Sequence, residues 1–219
     1  MNSEIIKKTK AFVQDTLKGV EGGHDWFHIE RVYNNTLLIA KKEQVDVLVV
    51  SLGALLHDIA DAKFYDGDET VGPKMATKFL KSIQVDERVI EHVVQIINHI
   101  SYKSSLGVAV INPFSSKELE VVQDADRLDA IGAIGIARAF NYGGFKNREM
   151  YNPAIQPNLT MTKEEYKKST APTINHFYEK LLLLKEKMNT ATGQKLAQAR
   201  HQYMEVFLTQ FYGEWNGKI

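Results

Sequence analysis

Apolar residues recur every three to four positions along most of the chain, and capping residues punctuate the runs where helices would begin. Segment 3–18 opens at Ser3 and stops at Gly19. Asp25 is placed to cap a helix from about 26 to 42, with Phe27, Val32, Leu37 and Ile39 among its apolar positions. Asp46 caps the next, which runs to about 60. Gly72-Pro73 opens another to about 83, and Asp86 caps one to about 100. Ser115 and Glu118 have capping-box spacing for a helix from about 117. A Thr162/Glu165 box starts a further segment, Pro172 breaks or restarts it near Thr173, and a last helix runs from about Gln194 to Phe211. No segment shows four or more clean alternations bounded by turn signals. The pattern predicts an all-α protein.

Two stretches rich in Gly, Pro, Asn and Ser, 101–115 and 142–161, read as long loops. Loops of that length in a compact domain are more often functional than idle, so both are expected to border a site. The 219 residues read as one helical domain, 1–219, and a chain of this size buries about 70% of its unfolded surface without staples. There is no cysteine, which excludes disulfides, thiolate metal sites and a cysteine nucleophile. Lys+Arg and Asp+Glu are both 27, so no global basic field recruits nucleic acid or anionic lipid. No apolar stretch approaches the ~18 residues of a membrane span, and the N-terminus lacks a signal-peptide core. The cytoplasm is the expected compartment.

Chemistry concentrates in three places. GGHDWFHIERV holds His24, Asp25, His28 and Arg31; GALLHDIADAKF holds His57, Asp58, Asp61 and Lys63; VVQDADRLDAIGA holds Asp124, Asp126, Arg127 and Asp129. Each has a plain structural reading. His24-Asp25 serves as a helix start, and the acids of the third stretch can form a solvated face. Asp124 and Asp126 are two apart, however, so only one faces inward with Leu119, Val122 and Ala130. Taken together, His28, His57, Asp58 and Asp126 make a mixed N/O donor set that suits one borderline or hard divalent ion: Mn, Fe, Co, Ni or Mg. Residues 57 and 58 differ by about 100° around a regular helix, so sharing one ion requires a distorted last turn. Gly53, four residues before His57, would let a neighbouring helix approach closely.

The order H…HD…D, with GHDWFHIERV, HDIADAKF and DADRLDAIGAIGIARAF as its carriers, resembles the HD-domain superfamily of metal-dependent phosphohydrolases, in particular a bacterial branch of small stand-alone members. The likeness spans residues 20 to about 150, and 151–219 reads as further helices of the same domain. The resemblance implies an HD-type helical bundle and hydrolysis of a phosphate ester or phosphoanhydride on a nucleotide, of the triphosphate pyrophosphohydrolase or nucleotidase type. By position, His28, His57, Asp58 and Asp126 match the metal ligands. Asp61 follows Asp58 by three residues and is the candidate general base. Arg31, Lys63, Lys103 and Arg127 are candidate phosphate partners.

His92 and His99, seven residues apart, face the same way along one helix. Extra histidines between HD and the final Asp bind a second metal in dinuclear relatives. The plainer reading is one core-edge histidine and one substrate-facing histidine, His99, around a single ion. Guanosine-tetraphosphate hydrolases carry a Glu-Asp pair after HD, whereas HDIAD offers Asp61 alone. Two other readings stand beside the phosphohydrolase: a nucleotide-sensing module whose metal is structural, and a di-iron oxygenase on the same fold. Tyr65, Tyr102, Phe145 and Tyr151 are candidates for stacking a base or for anchoring loops. Oligomeric state is not legible.

Overall fold

The computed structural model describes residues 2–19, 25–60, 65, 68–100, 114–162, 165 and 168–219. Among them there is no strand, and the order is helical throughout. The chain divides into two compact units, Met1–Asp126 and Arg127–Ile219.

The first unit is built around α3 (Val47–Leu56), whose sequence VLVVSLGALL is apolar on every side. A helix without a polar face belongs at the centre of a fold, and its residues from Val49 to Leu56 are all buried. Around it pack α1 (Asn2–Thr16), α2 (Trp26–Ala40) and α5 (Glu87–His99), while α4 (Val71–Ser82) packs against α5. Ile29, Val32, Leu52, Leu55, Leu80, Ile90 and Ile96 are among the fully or almost fully buried side chains. Gly53 has the close neighbour its composition suggested: a Cβ built there lies 3.2 Å from two side-chain carbons of Ile96 on α5.

Three expected caps are made. Asp25 accepts from the His28 amide at 3.0 Å, Asp46 from Leu48 and Val49 at 2.8 and 3.2 Å, and Asp86 from Arg88 at 2.9 Å. Each contributes on the order of 1 kcal/mol. The fourth differs from expectation. The cap of α6 (Lys117–Asp129) is Ser116, whose hydroxyl accepts from the Leu119 amide at 3.1 Å. A cap must directly precede the first helical residue, and Ser116, not Ser115, stands before Lys117. Glu118, freed from the box, accepts from the Asp46 backbone amide at 3.0 Å and ties the start of α3 to the start of α6.

In the second unit, α6 ends at Asp129 and α7 (Gly132–Phe145) begins after a break at Gly132, whose φ is +74°. Two arginines close the end of α6. Arg200 donates to the Leu128 carbonyl at 2.5 Å, and Arg138 donates to the Asp129 carbonyl at 3.1 Å and its carboxylate at 2.6 Å. α7 runs through residues 142–145, which the sequence assigned to a loop. Gly143 has no room for a side chain there, because Thr173 occupies the space a Cβ would need, so this glycine answers to packing and not to a turn. Both halves of the Thr162/Glu165 box form, at 2.7 and 3.3 Å. Pro172 precedes α8 (Thr173–Glu179), as expected, and a 3-10 helix (Leu181–Lys187) follows. The last helix, α9 (Ala191–Trp215), starts three residues earlier than predicted because Thr190 caps it, accepting from Gly193 at 2.9 Å. Phe140, Phe177, Phe207 and Phe211 form the aromatic centre of this unit. No helix among the described residues is long and apolar enough to cross a membrane.

Candidate metal centre

The site gathers at one end of α3. The helix stops at Leu56 instead of near residue 60, and His57 is its C-cap. The last turn therefore leaves carbonyls without helical partners. One of them, Ala54, lies 2.8 Å from His57 Nδ1. A carbonyl only accepts, so Nδ1 carries the proton and Nε2 presents its lone pair. A carbonyl behind a ligating imidazole is the usual way to fix that tautomer. His28 sits in the first turn of α2, placed by the Asp25 cap, and is 3% exposed. The two rings meet edge to face with centroids 5.4 Å apart.

Both imidazoles address the same carboxylate oxygen. Asp126 Oδ1 on α6 stands 3.6 Å from His28 Nε2 and 3.9 Å from His57 Nε2. These separations exceed hydrogen-bond length. They lie between the ~3 Å of adjacent donors and the ~4 Å of opposite donors on an ion with bonds of about 2.1 Å. His28, His57 and Asp58 each offer a ligand atom, all within 4.8 Å of one another, and they form the one such group among the described residues. Asp126 stands outside that trio but within 3.9 Å of both histidines. Of the two acids on α6, Asp124 is the one wholly buried, and Asp126 is the one at the histidines. The donor set, the fixed tautomer and the spacing fit a divalent ion.

The HD-domain family model matches residues 26–131, which include all four residues. The uncharacterized protein YpgQ of Bacillus subtilis is 35% identical over 206 residues, 93% of this chain and 90% of YpgQ. The chain belongs to the HD-domain superfamily. Its structure superposes on that of an HD-superfamily hydrolase from Bacillus thuringiensis with a TM-score of 0.79, at 41% identity and with 99% of each chain covered. The structure of YpgQ in complex with ADP gives a TM-score of 0.76 at 32% identity, covering 97% of this chain and 96% of that one. The protein thus carries the fold of the HD-superfamily hydrolases.

In this HD domain the remaining candidates divide. Asp61, Lys63, Lys103, His24 and Tyr102 lie outside the described residues. Arg31 is one turn beyond His28 on α2 and half-buried. Arg127 donates to the Lys187 carbonyl at 2.6 Å. His99, the last residue of α5, has Nδ1 2.8 Å from the Gln95 carbonyl and packs its ring 5.5 Å from that of Phe114. His92 meets the same phenyl ring at 5.6 Å. Its Nε2 lies 2.9 Å from the Ser116 hydroxyl and 3.5 Å from Glu118. These histidines do share a face, and neither joins a metal-ligand group among the described residues.

Tyr65 and Phe145 are exposed, whereas Tyr151 is packed against Trp215 and Tyr212 at 5.0 and 5.3 Å, as a loop anchor would be. Sequence reasoning passed over two amides that brace α6 from its neighbours. Gln123 donates to the His99 carbonyl at 2.9 Å, and Asn35 on α2 donates to the Ala125 carbonyl at 3.3 Å. Both partners are backbone, so no residue-type pattern could have signalled them.

Proposed function

We propose that this protein is a metal-dependent phosphohydrolase that cleaves a phosphate ester or phosphoanhydride of a nucleotide with water as the nucleophile. The observation that carries the reading is the meeting of His28, His57, Asp58 and Asp126 at the end of a buried helix. Two nitrogens and two carboxylates suit one Mn, Fe, Co, Ni or Mg ion. ADP in the complex of YpgQ supports a nucleotide as the small-molecule ligand. When bound, the ion supplies positive charge to a phosphoryl oxygen and acidifies water.

The protein's own groups do the rest. The Ala54 carbonyl holds the His57 proton at Nδ1, keeping Nε2 available to the ion. Asp61 takes the proton of the attacking water as one P–O bond forms and another breaks. Arg31, Lys63, Lys103, His99 and Arg127 are the proposed partners of the substrate's phosphate oxygens, whose charge they neutralise. The reaction requires neither nucleic acid nor a membrane and is assigned to the cytoplasm.

The test is turnover of a panel of nucleoside mono-, di- and triphosphates and p-nitrophenyl phosphate. The protein is first stripped by a chelator and then resupplied with Mn²⁺, Co²⁺, Ni²⁺ or Mg²⁺. Metal-dependent hydrolysis is expected, abolished in Asp58→Ala together with metal binding. Asp61→Asn is expected to keep the metal while losing about 10²–10⁴-fold in rate, the usual contribution of a general base. Metal bound tightly with no hydrolysis of any substrate refutes the phosphohydrolase and leaves the sensing module. Oxygen consumption by an iron-loaded form in its place would identify the oxygenase.

A further inference from the structure

Asn35 follows His28 by seven residues on α2, so both lie on one face, two turns apart. It is 9% exposed, among the buried side chains of Val32, Thr36 and Ile39. Nothing local favours asparagine there. It is a poor former of helix interiors, and a buried amide is costly unless it is hydrogen-bonded. One of its partners is the Ala125 carbonyl, 3.3 Å from Nδ2. That carbonyl belongs to the peptide plane that ends at the Asp126 Cα. Its oxygen has a second lone pair, so it can take the amide without surrendering a helical bond. α2 therefore grips the same turn of α6 twice, with Asn35 on the backbone at 125 and with His28 against the carboxylate at 126.

We propose that Asn35 is a positioning residue for the metal centre: its amide fixes the Ala125–Asp126 peptide plane against α2 and so sets where the Asp126 carboxylate meets His28 and His57. The inference rests on the reading that these residues hold a divalent ion. Asn35 touches neither ion nor substrate and acts through Asp126. Loss of the bond releases that peptide plane from α2, so the Asp126 carboxylate is no longer held where it meets His28 and His57.

The experiment titrates Co²⁺ into the metal-free protein and follows heat and the visible Co²⁺ spectrum. Wild type, Asn35→Leu, Asn35→Ala and the core control Ile39→Val are compared, with the melting temperature of each apo form. Asn35→Leu keeps the branched heavy-atom outline, though not the volume, and removes the donor. It is expected to raise the Co²⁺ Kd by about 10-fold, the lower end of what outer partners of metal ligands contribute. It is also expected to alter the spectrum, while Ile39→Val leaves both unchanged. A lowered apo melting temperature with unchanged Kd and spectrum would mean a structural role only and overturns the proposal.

A measurement on the wild type covers the case in which neither variant folds. Coupling is reciprocal, so an ion held at the centre strengthens the Asn35–Ala125 bond in turn, and Zn²⁺, which is diamagnetic, is expected to slow exchange of the Asn35 side-chain amide protons read by NMR. Exchange unaffected by Zn²⁺ overturns the proposal as well. Wild type that binds no Co²⁺ sinks the metal-centre reading and this inference with it. Co²⁺ bound equally by wild type and Asn35→Leu sinks the inference alone.

Discussion

Substituting Gly53 asks how rigidly the helix that ends at the site is held. Gly53 lies one turn before His57, and an ideal Cβ there comes within 3.2 Å of Ile96 Cδ1 and Cγ2 and 3.5 Å of Val122 Cγ2. Both neighbours are 0% exposed, so neither can swing into solvent. Two effects oppose each other in Gly53→Ala. Alanine gains about 1 kcal/mol over glycine in a helix interior. Overpacking costs about 1–3 kcal/mol, and contacts only a few tenths of an ångström short of the ~3.5 Å carbon optimum fall at its low end. The two nearly cancel, and Gly53→Ala should lie within about 1 kcal/mol of wild type. Gly53→Leu adds three more carbons to occupied space and should lose at least about 3 kcal/mol. For a chain of this size that is a fall of roughly 6–12 °C in melting temperature. Urea titration and thermal melting followed by circular dichroism read both variants. A Gly53→Leu protein melting within a degree or two of wild type would refute the close seating of α5 on α3.

Two further outcomes concern the second unit. Burial, followed by Lys180 and Arg148, pushes the His176 imidazole down to about 3. The unfolded chain takes up that proton as pH falls through 6.5 while the folded chain does not, so stability drops by up to about 1.4 kcal/mol per pH unit between 6.5 and 3. His176→Phe should flatten that slope in urea midpoints measured at pH 7, 6, 5 and 4, and an unchanged slope would contradict the assignment. Arg138→Met strips the 2.6 Å partner from Asp129, which is 1% exposed. With Arg200 still nearby to offset part of the charge, the loss in chemical denaturation should be about 3 kcal/mol, the lower end for breaking a buried pair. A loss below ~1 kcal/mol would show that the pair is dispensable.

What the sequence made legible follows the range of the interactions involved. The caps at Asp25, Asp46 and Asp86 are decided within three residues, and each appears where the pattern placed it. The order of histidines and acids carried the family, because ligands must be of fixed type and helices fix their spacing. Ser116 was missed by one position, since Ser115 and Ser116 are chemically equal and only the first residue of α6 separates them. The continuation of α7 through residues 142–145 was missed because glycine content argued locally for a loop, whereas Gly143 is small for a reason thirty residues away in the chain, the Thr173 side chain that fills the space of a Cβ. The braces at Asn35 and Gln123 end on carbonyls that every residue possesses. Long-range packing and backbone acceptors leave no residue-type signature, and those are the features that escaped.

The apolar run GALLHD brings together two properties that look unrelated in sequence. A helix buried on all sides has no polar face on which to display a ligand, so chemistry can attach to it only at its end. The end of α3 supplies three things that a helix interior lacks. It offers the Ala54 carbonyl to the His57 imidazole at 2.8 Å, which sets the tautomer. It departs from regular helix after Leu56, which allows the consecutive residues His57 and Asp58 to reach one point together with His28. It also stands where α2 and α6 already flank the core, so that His28 and Asp126 arrive on elements whose positions the same core dictates. The deep burial of α3 is therefore what makes its terminus a rigid place for a ligand set, and a change such as Gly53→Leu should be felt at His57 as well as in stability.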